Sequence, residues 1–355
     1  MSRVLITGGA GQLGAALTRR LLADPDYDVR ISDGRAVPLW MREACEVHRG
    51  DLRNPNEAAA AAKGCSHVIH LACFAHAETY AESESPNSPL PTAEDSYAVL
   101  EYEALLNTAI VGAAVARGVE RFVFVSSPLV FERAELFPTP EDHLRECLTP
   151  ISARGFARLA GERLCVAAAE QRGMQYAICR PFDAYGAHER DEADQVEKAN
   201  DVQAGEPHAH ETPAHDLGGL IEQALAGSHP LTIFGGGKRT VTPTHVDDLA
   251  RGIFAAIGEP TAANEDFNLA AEREISLAGL AELAWKKGAG AAEKLALEEL
   301  PAREVDLARS YPSSAKAREL LGWSAQIDLE EGIASIAEGR QGVRHDPATP
   351  AVVAG

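Results

Sequence analysis

Thr7-Gly8-Gly9-Ala10-Gly11-Gln12-Leu13-Gly14 is the stretch whose residue types and spacing point most directly to chemistry. Glycines at these intervals leave backbone N–H groups uncovered. A turn of this kind that opens a helix presents them, with the positive end of the helix dipole, to a pyrophosphate. Any Cβ there would hold off the phosphates or keep the helix from its strand, so Gly8, Gly11, Gln12, Leu13 and Gly14 are the expected phosphate contacts. The second such residue is Asp33, nineteen positions beyond Gly14. A carboxylate at that offset accepts hydrogen bonds from the ribose hydroxyls and repels a 2′-phosphate, which favours NAD over NADP. Arg35 works against that preference, because a guanidinium suits the phosphate. Asp51 and Leu52, in Gly50-Asp51-Leu52-Arg53, are placed at the adenine edge, with Leu71 and Ala72 beside the cofactor.

The elements that must hold these residues can be read around them. Val4-Leu5-Ile6 is a strand-type run before the glycines, Ala15 to Leu22 has helical apolar spacing, and Val29-Arg30-Ile31-Ser32 is a strand ending at Asp33. Further strand runs at Val68–Leu71, Arg121–Val125 and Tyr176–Cys179 alternate with helical stretches. That alternation predicts right-handed βαβ units in an α/β chain, a Rossmann-type doubly wound parallel sheet over residues 1–180. His70, inside an apolar strand, reads as a packed and hydrogen-bonded histidine. Residues 187–216 break the pattern with acids and with His188, His208, His210 and His215. His208 and His210 could reach one ion, but nothing fixes a tetrahedral geometry, so a solvated insertion without metal is expected. Leu231–Phe234 and Phe267–Ala270 are strand-like, Leu277–Ala284 and Ser314–Leu321 helical, and residues 341–355 a flexible tail.

Composition narrows the function classes. The chain has 355 residues with 53 acidic against 33 basic side chains, a formal charge of −20. Such a balance repels polyanions and anionic lipid, so neither nucleic acid nor membrane is an expected partner. Cys45, Cys65, Cys73, Cys147, Cys165 and Cys179 show no CxxC spacing and read as reduced packing residues. Val4-Leu5-Ile6 is too short for the apolar core of a signal peptide. A cytoplasmic protein is the expectation.

Taken in order, several motifs resemble the extended short-chain dehydrogenase/reductase family, in its NAD-dependent nucleotide-sugar epimerases and dehydratases. They are the Thr7–Gly14 loop, Phe122-Val123-Phe124-Val125-Ser126-Ser127, Arg180-Pro181-Phe182-Asp183-Ala184-Tyr185-Gly186, His245-Val246-Asp247-Asp248 and Leu321-Gly322-Trp323. The resemblance implies a smaller carboxy-terminal substrate domain from residues 181–240 and 273–335, with a segment near 240–272 returning to the dinucleotide-binding domain. It implies a sugar or sugar-nucleotide substrate touched by Asp183, Tyr185 and Arg239. It also implies a homodimer through helices near 97–116 and 154–171.

The family's chemistry uses a Ser, a Tyr and a Lys four residues later. Ser127 matches the serine, but Arg154 stands at the tyrosine position and Arg158 at the lysine position. Arginine stays protonated, so it cannot accept a proton as a tyrosinate does. Arg158 can still donate to the nicotinamide ribose, while the two charges together suit a phosphate or carboxylate. Glu103 replaces an expected asparagine, Asp183 another, and Val241 the arginine that holds the diphosphate, for which Arg180, Lys238 or Arg239 could substitute. Pro128-Leu129 lacks the Asp-Glu pair of 4,6-dehydratases. Tyr97, Tyr102, His76, Cys73 and Tyr185 are alternative bases in segments expected near the cleft; Glu132 and Asp183 beside arginines would stay ionised. The expected protein is thus an NAD-binding relative with a non-standard catalytic set. The alternatives are a catalytically silent NAD-binding scaffold, or a reductase or non-redox lyase of a carboxylated or phosphorylated substrate.

Overall fold

The computed structural model describes residues 1–74, 96–187, 217–288, 294–301 and 307–342. The first half alternates β1 (Ser2–Thr7), α1 (Gln12–Leu22), β2 (Tyr27–Ser32), α2 (Leu39–Ala44), β3 (Glu46–His48), α3 (Pro55–Ala61), β4 (His67–His70), α4 (Ser96–Arg117), β5 (Arg121–Val125), α5 (Ala153–Arg172) and β6 (Tyr176–Pro181). Buried parallel strands read as continuous apolar runs, and Arg-Phe-Val-Phe-Val in β5 is buried at every position.

These strands and Glu265–Leu269 make one seven-stranded parallel sheet, in the order Glu265–Leu269, β6, β5, β4, β1, β2, β3. The chain runs outward from β1 to β3, then crosses back to β4 on the other flank of β1. Thr7 pairs in register with His70 at that reversal. Open α/β sheets take ligands beyond the carboxyl ends of strands at such a switch point.

Both faces are covered. On one, α1 and the helix Val246–Gly258 bury Leu17, Leu21, Leu249 and Ile253 with Trp323. On the other, α3, α4 and α5 bury Ala61, Leu106, Ile110 and Cys165 against Phe122 and Phe124. α4 is long and apolar enough to cross a bilayer by composition alone, and here Val99, Leu106, Ile110 and Ala114 are buried in the protein. A third cluster gathers Leu220, Ile221, Leu231, Leu280 and Ile333 around Tyr185. Short strand pairs join its segments: Leu297–Leu300 lies parallel to Leu231–Phe234, and Ile275–Ser276 antiparallel to Thr240–Val241.

Two features fix α5. Ser152 caps its start, its Oγ accepting from Gly155 N at 3.1 Å, and Gly173 closes its end at φ 71°. Along its length glycines press it onto its neighbours. A Cβ on Gly155 would lie 2.7 Å from Leu129 O, and one on Gly161 2.4 Å from Phe124 Cζ.

Candidate active site

At the switch point a cleft of about 380 Å³ is lined from both flanks. Gly8, Gly11, Gln12, Leu13 and Gly14 form one wall; Ser126, Ser127, Arg154 and Arg158 form the other, with Leu71, Cys73 and Phe74 between. The glycine wall is built from backbone. Gly8 has φ +73°, and a Cβ there would sit 2.6 Å from Ala72 N; a Cβ on Gly14 would sit 2.4 Å from Gly9 O. Gly11 is the N-cap of α1 and brings no side-chain acceptor to the first-turn N–H groups. Uncovered donors, a helix N-terminus and close-packed glycines fit a dinucleotide pyrophosphate. Gln12 reaches across the opening, its Nε2 donating to Gly186 O at 2.6 Å. Asp33 Oδ2 accepts from Ala10 N at 2.8 Å, and Oδ1 from Arg35 N at 2.9 Å.

The opposite wall is built from side chains. Arg154 and Arg158 lie one helical turn apart on α5 and face the same cleft. Arg154 Nη1 donates to Phe74 O at 3.4 Å, and its guanidinium lies 5.7 Å from the Phe74 ring centre. Arg158 is buried and pairs with buried Glu103 at 3.3 Å. Burial alone would lower the Arg158 pKa, but Glu103 and then Cys73 more than offset it, so the guanidinium is held above its ordinary value. Ser127 Oγ accepts from Leu129 N at 3.2 Å and caps the short turn Pro128–Phe131. Among the described residues no tyrosine or lysine lines the cleft.

A buried polar chain connects the walls beneath the floor. Ala72 N donates to Thr7 Oγ1 at 3.3 Å, and Thr7 Oγ1 meets His70 Nδ1 at 2.6 Å. His70 Nε2 meets Asn107 Oδ1 at 2.9 Å, Asn107 Nδ2 donates to Glu103 Oε2 at 3.4 Å, and Glu103 Oε1 accepts from Phe74 N at 2.7 Å and from Arg158. With Asn107 donating onward through Nδ2, its Oδ1 accepts a hydrogen bond from His70 Nε2–H while Nδ1 accepts from the Thr7 hydroxyl, which is the neutral imidazole. Complete burial, only partly offset by the Asn107 bond, depresses the His70 pKa to about 3.

The profile of the NAD dependent epimerase/dehydratase family matches residues 4–270. The chain belongs to that family. Its curated relatives include UDP-glucuronic acid decarboxylase 1 of Xenopus tropicalis, 26% identical over 341 residues that cover 93% of this chain and 70% of the relative. UDP-glucose 4-epimerase of Mycolicibacterium smegmatis is 27% identical over 348 residues, covering 95% of this chain and 97% of the relative. Among solved structures, UDP-glucose 4-epimerase of Thermotoga maritima with UDP-glucose superposes with a TM-score of 0.76 at 22% identity, over 97% of this chain and 100% of that one. UDP-glucuronic acid 4-epimerase of Bacillus cereus, in complex with UDP-glucuronic acid and NAD, gives 0.75 at 21% identity, over 96% and 99%. At these identities the superpositions establish the fold.

The remaining sequence candidates fall elsewhere in this epimerase/dehydratase chain. Asp33, Asp51, Leu52 and Ala72 are not among the described lining residues. Asp51 is bound by Arg53, whose Nη2 donates at 2.6 Å and holds the carboxyl below its usual range. Leu52 packs in the core below, and Ala72 contributes its N–H to Thr7. Asp183, at φ 46°, accepts from Thr242 N at 2.8 Å and Ser310 Oγ at 2.6 Å, and burial raises its pKa. Tyr185 is fully buried and meets His245 edge-on. Arg239 is half-buried, and its backbone carbonyl accepts from Leu277 N at 3.0 Å. Arg180 is enclosed by Glu162 at 2.7 Å and Asp266 at 2.9 Å, which commits it to the interior. Glu132 accepts from Ser152 N and Oγ, holding the start of α5. Tyr97 donates to Glu101 at 2.9 Å on the surface, and Tyr102 packs edge-on against Phe74. His76, the stretch 188–216 and the tail from 343 lie outside the described residues.

Sequence reading missed Asn107 and Phe74 as parts of the site, and quoted Thr7 in the loop without giving it a role. One signal was present for two of the floor residues. Glu103 and Asn107 stand four apart, on one face of a helix rich in apolar residues, and polar groups on a buried helix face need partners.

Proposed function

We propose that this chain binds NAD in the cleft and takes a sugar nucleotide beside it, in a site where the family's tyrosine-lysine proton transfer has been replaced. The observation that carries the reading is that Arg154 and Arg158 line the cleft shared with the glycine loop, with no tyrosine or lysine among its described lining residues. Gly8, Gly11 and Gly14, with the first turn of α1, would hold the pyrophosphate. Arg158, set by Glu103, would donate to the nicotinamide ribose, and Ser127 to a substrate oxygen. Bound NAD supplies a hydride acceptor. Neither arginine can take the proton that must leave a hydroxyl as it is oxidised. Instead Arg154 places a permanent positive charge at the reacting edge, which favours a carboxylate or phosphate there.

The test is a titration of the purified chain with NAD, followed by incubation with UDP-glucose or UDP-glucuronic acid and separation of products. NAD binding is expected, with 4-epimerisation slower by roughly 10²–10⁴-fold than in a tyrosine-lysine relative, the usual worth of a positioned acid-base group. Epimerisation at a relative's rate overturns the reading. A second reading, a silent NAD-binding scaffold, is favoured by the Arg158–Glu103 pair, which neutralises the Arg158 charge internally. Replacing Arg154 by Tyr and Arg158 by Lys leaves a scaffold's biological role intact and abolishes one that needs the arginines.

A homodimer through α4 and α5 belongs to the same reading. These helices pack side by side and leave Tyr97, Leu105 and Phe156 exposed. Phe156→Glu is expected to yield monomers in analytical ultracentrifugation.

A further inference from the structure

Cys73 follows the end of β4 at the switch point, is exposed, and lines the same cleft as the glycine loop. Its segment touches both arginines. The Cys73 sulfur takes a hydrogen bond from Arg158, and the carbonyl of the next residue, Phe74, accepts from Arg154 Nη1 at 3.4 Å. Of the described lining residues that titrate, Arg35, Arg154 and Arg158 stay protonated. Glu103 accepts from Phe74 N, from Asn107 and from Arg158, so its oxygens are occupied by protein donors. That leaves Cys73 to take up a proton and give it back. A second group shows that this wall is built for a ligand. Ser126 is 6% exposed and lines the cleft, and among the described residues its Oγ has no hydrogen-bond partner. A buried hydroxyl left unsatisfied costs about 1–3 kcal/mol, which a ligand oxygen at that point would recover.

We infer that Cys73, paired with Arg158, is the proton acceptor of this cleft for a hydroxyl of the sugar nucleotide. The inference rests on the site proposed above and names the group that stands in for its missing base. A thiol in contact with a guanidinium is an acidic X–H group beside a permanent cation, the same kind of pair as a phenol beside an ammonium. The ionised sulfur is the form that reacts. The substrate O–H bond breaks and its proton goes to Sγ, while the carbon is oxidised to a carbonyl and the hydride leaves to the acceptor that bound NAD supplies. When the hydride returns, the S–H bond breaks and the proton goes back to oxygen.

Alkylation of the full chain with iodoacetamide, mapped by mass spectrometry, tests the placement without any turnover. Cys73 is expected to react in the free chain and at least tenfold more slowly with NAD and UDP-glucuronic acid present. No reaction in the free chain, or weaker protection, overturns the inference. Cys73→Ala then tests the role. It should keep NAD affinity within threefold by calorimetry and lower product formation from UDP-glucose or UDP-glucuronic acid by about 10²-fold or more, the worth of a positioned acid-base group. Cys73→Ser, which keeps the size of the side chain but offers a far weaker acid, gives the same comparison if the alanine variant does not fold. A smaller loss, or NAD bound by the unmodified chain with no product formed, defeats only this inference. Failure of the unmodified chain to bind NAD defeats the underlying site as well.

Discussion

At the glycine end of the cleft, recognition is written in the backbone; at the α5 end it is written in side chains. Gly8, Gly11 and Gly14 contribute by lacking a Cβ, and only a few residues can meet that requirement. Arg154 and Arg158 contribute a charged group on a helix whose position is fixed by other residues, Gly155, Gly161 and the Ser152 cap. The first kind of site fails as geometry, while the second can change its chemistry with the fold intact. Under the proposed function, this is how one chain would keep the nucleotide loop beside two arginines, which cannot accept a proton.

The contrast can be broken or sharpened by substitution. The largest effect is expected at the α5 end, from Glu103→Ala, which strands the buried Arg158 cation and should cost about 3–5 kcal/mol in urea unfolding. If stability is unchanged, the pair is not the anchor of that wall. At the glycine end, Gly8→Ala forces φ +73° on a side chain and presses it on Ala72. A loss of about 1–3 kcal/mol together with loss of NAD binding is expected; intact binding would show that backbone geometry is not what recognises the nucleotide.

His70 lies under both walls, and its protonation should loosen them together. Its folded pKa of about 3 is below the ordinary 6.5, so the unfolded chain binds the proton more readily. Stability is therefore full above about pH 6.5 and falls as pH drops through that value toward 3, by on the order of 2 kcal/mol between pH 7 and 5. Half-buried His67 and buried His245 shift the same way. His70→Asn should flatten most of that slope in urea midpoints; a slope that persists would assign the effect to other groups. The smallest change is Glu132→Ala, which frees the Ser152 cap of α5 and should cost about 1 kcal/mol, read as a lowered Tm.

Much of the nucleotide half was legible because its determinants are local. The strand, glycine turn, helix and second strand lie within the first 33 residues, and periodicity with glycine spacing describes them. β3 was not read, since Glu46-Val47-His48 is too short to show a period. What sequence could not show is which polar groups spend themselves on one another. Arg180 looks like a spare cation for a diphosphate until Glu162 and Asp266 close around it. Asp33 looks like an open carboxylate until Arg35 pairs with it at 3.3 Å. Glu103 looks like a departure from the family until Arg158, 55 positions away, accounts for its charge. The Arg180 and Glu103 pairings depend on contacts between distant segments, which local patterns do not encode, whereas the packed, hydrogen-bonded His70 followed directly from an apolar strand.

The close seating of α5 has a practical meaning for anyone altering this protein. Gly155 and Gly161 leave no room for a Cβ against Leu129 and Phe124, so the helix that aims positions 154 and 158 is seated by other residues. A library varying position 154 on the unaltered backbone would therefore sample new reactivities at once, whereas every change at 158 must also answer the buried Glu103 charge.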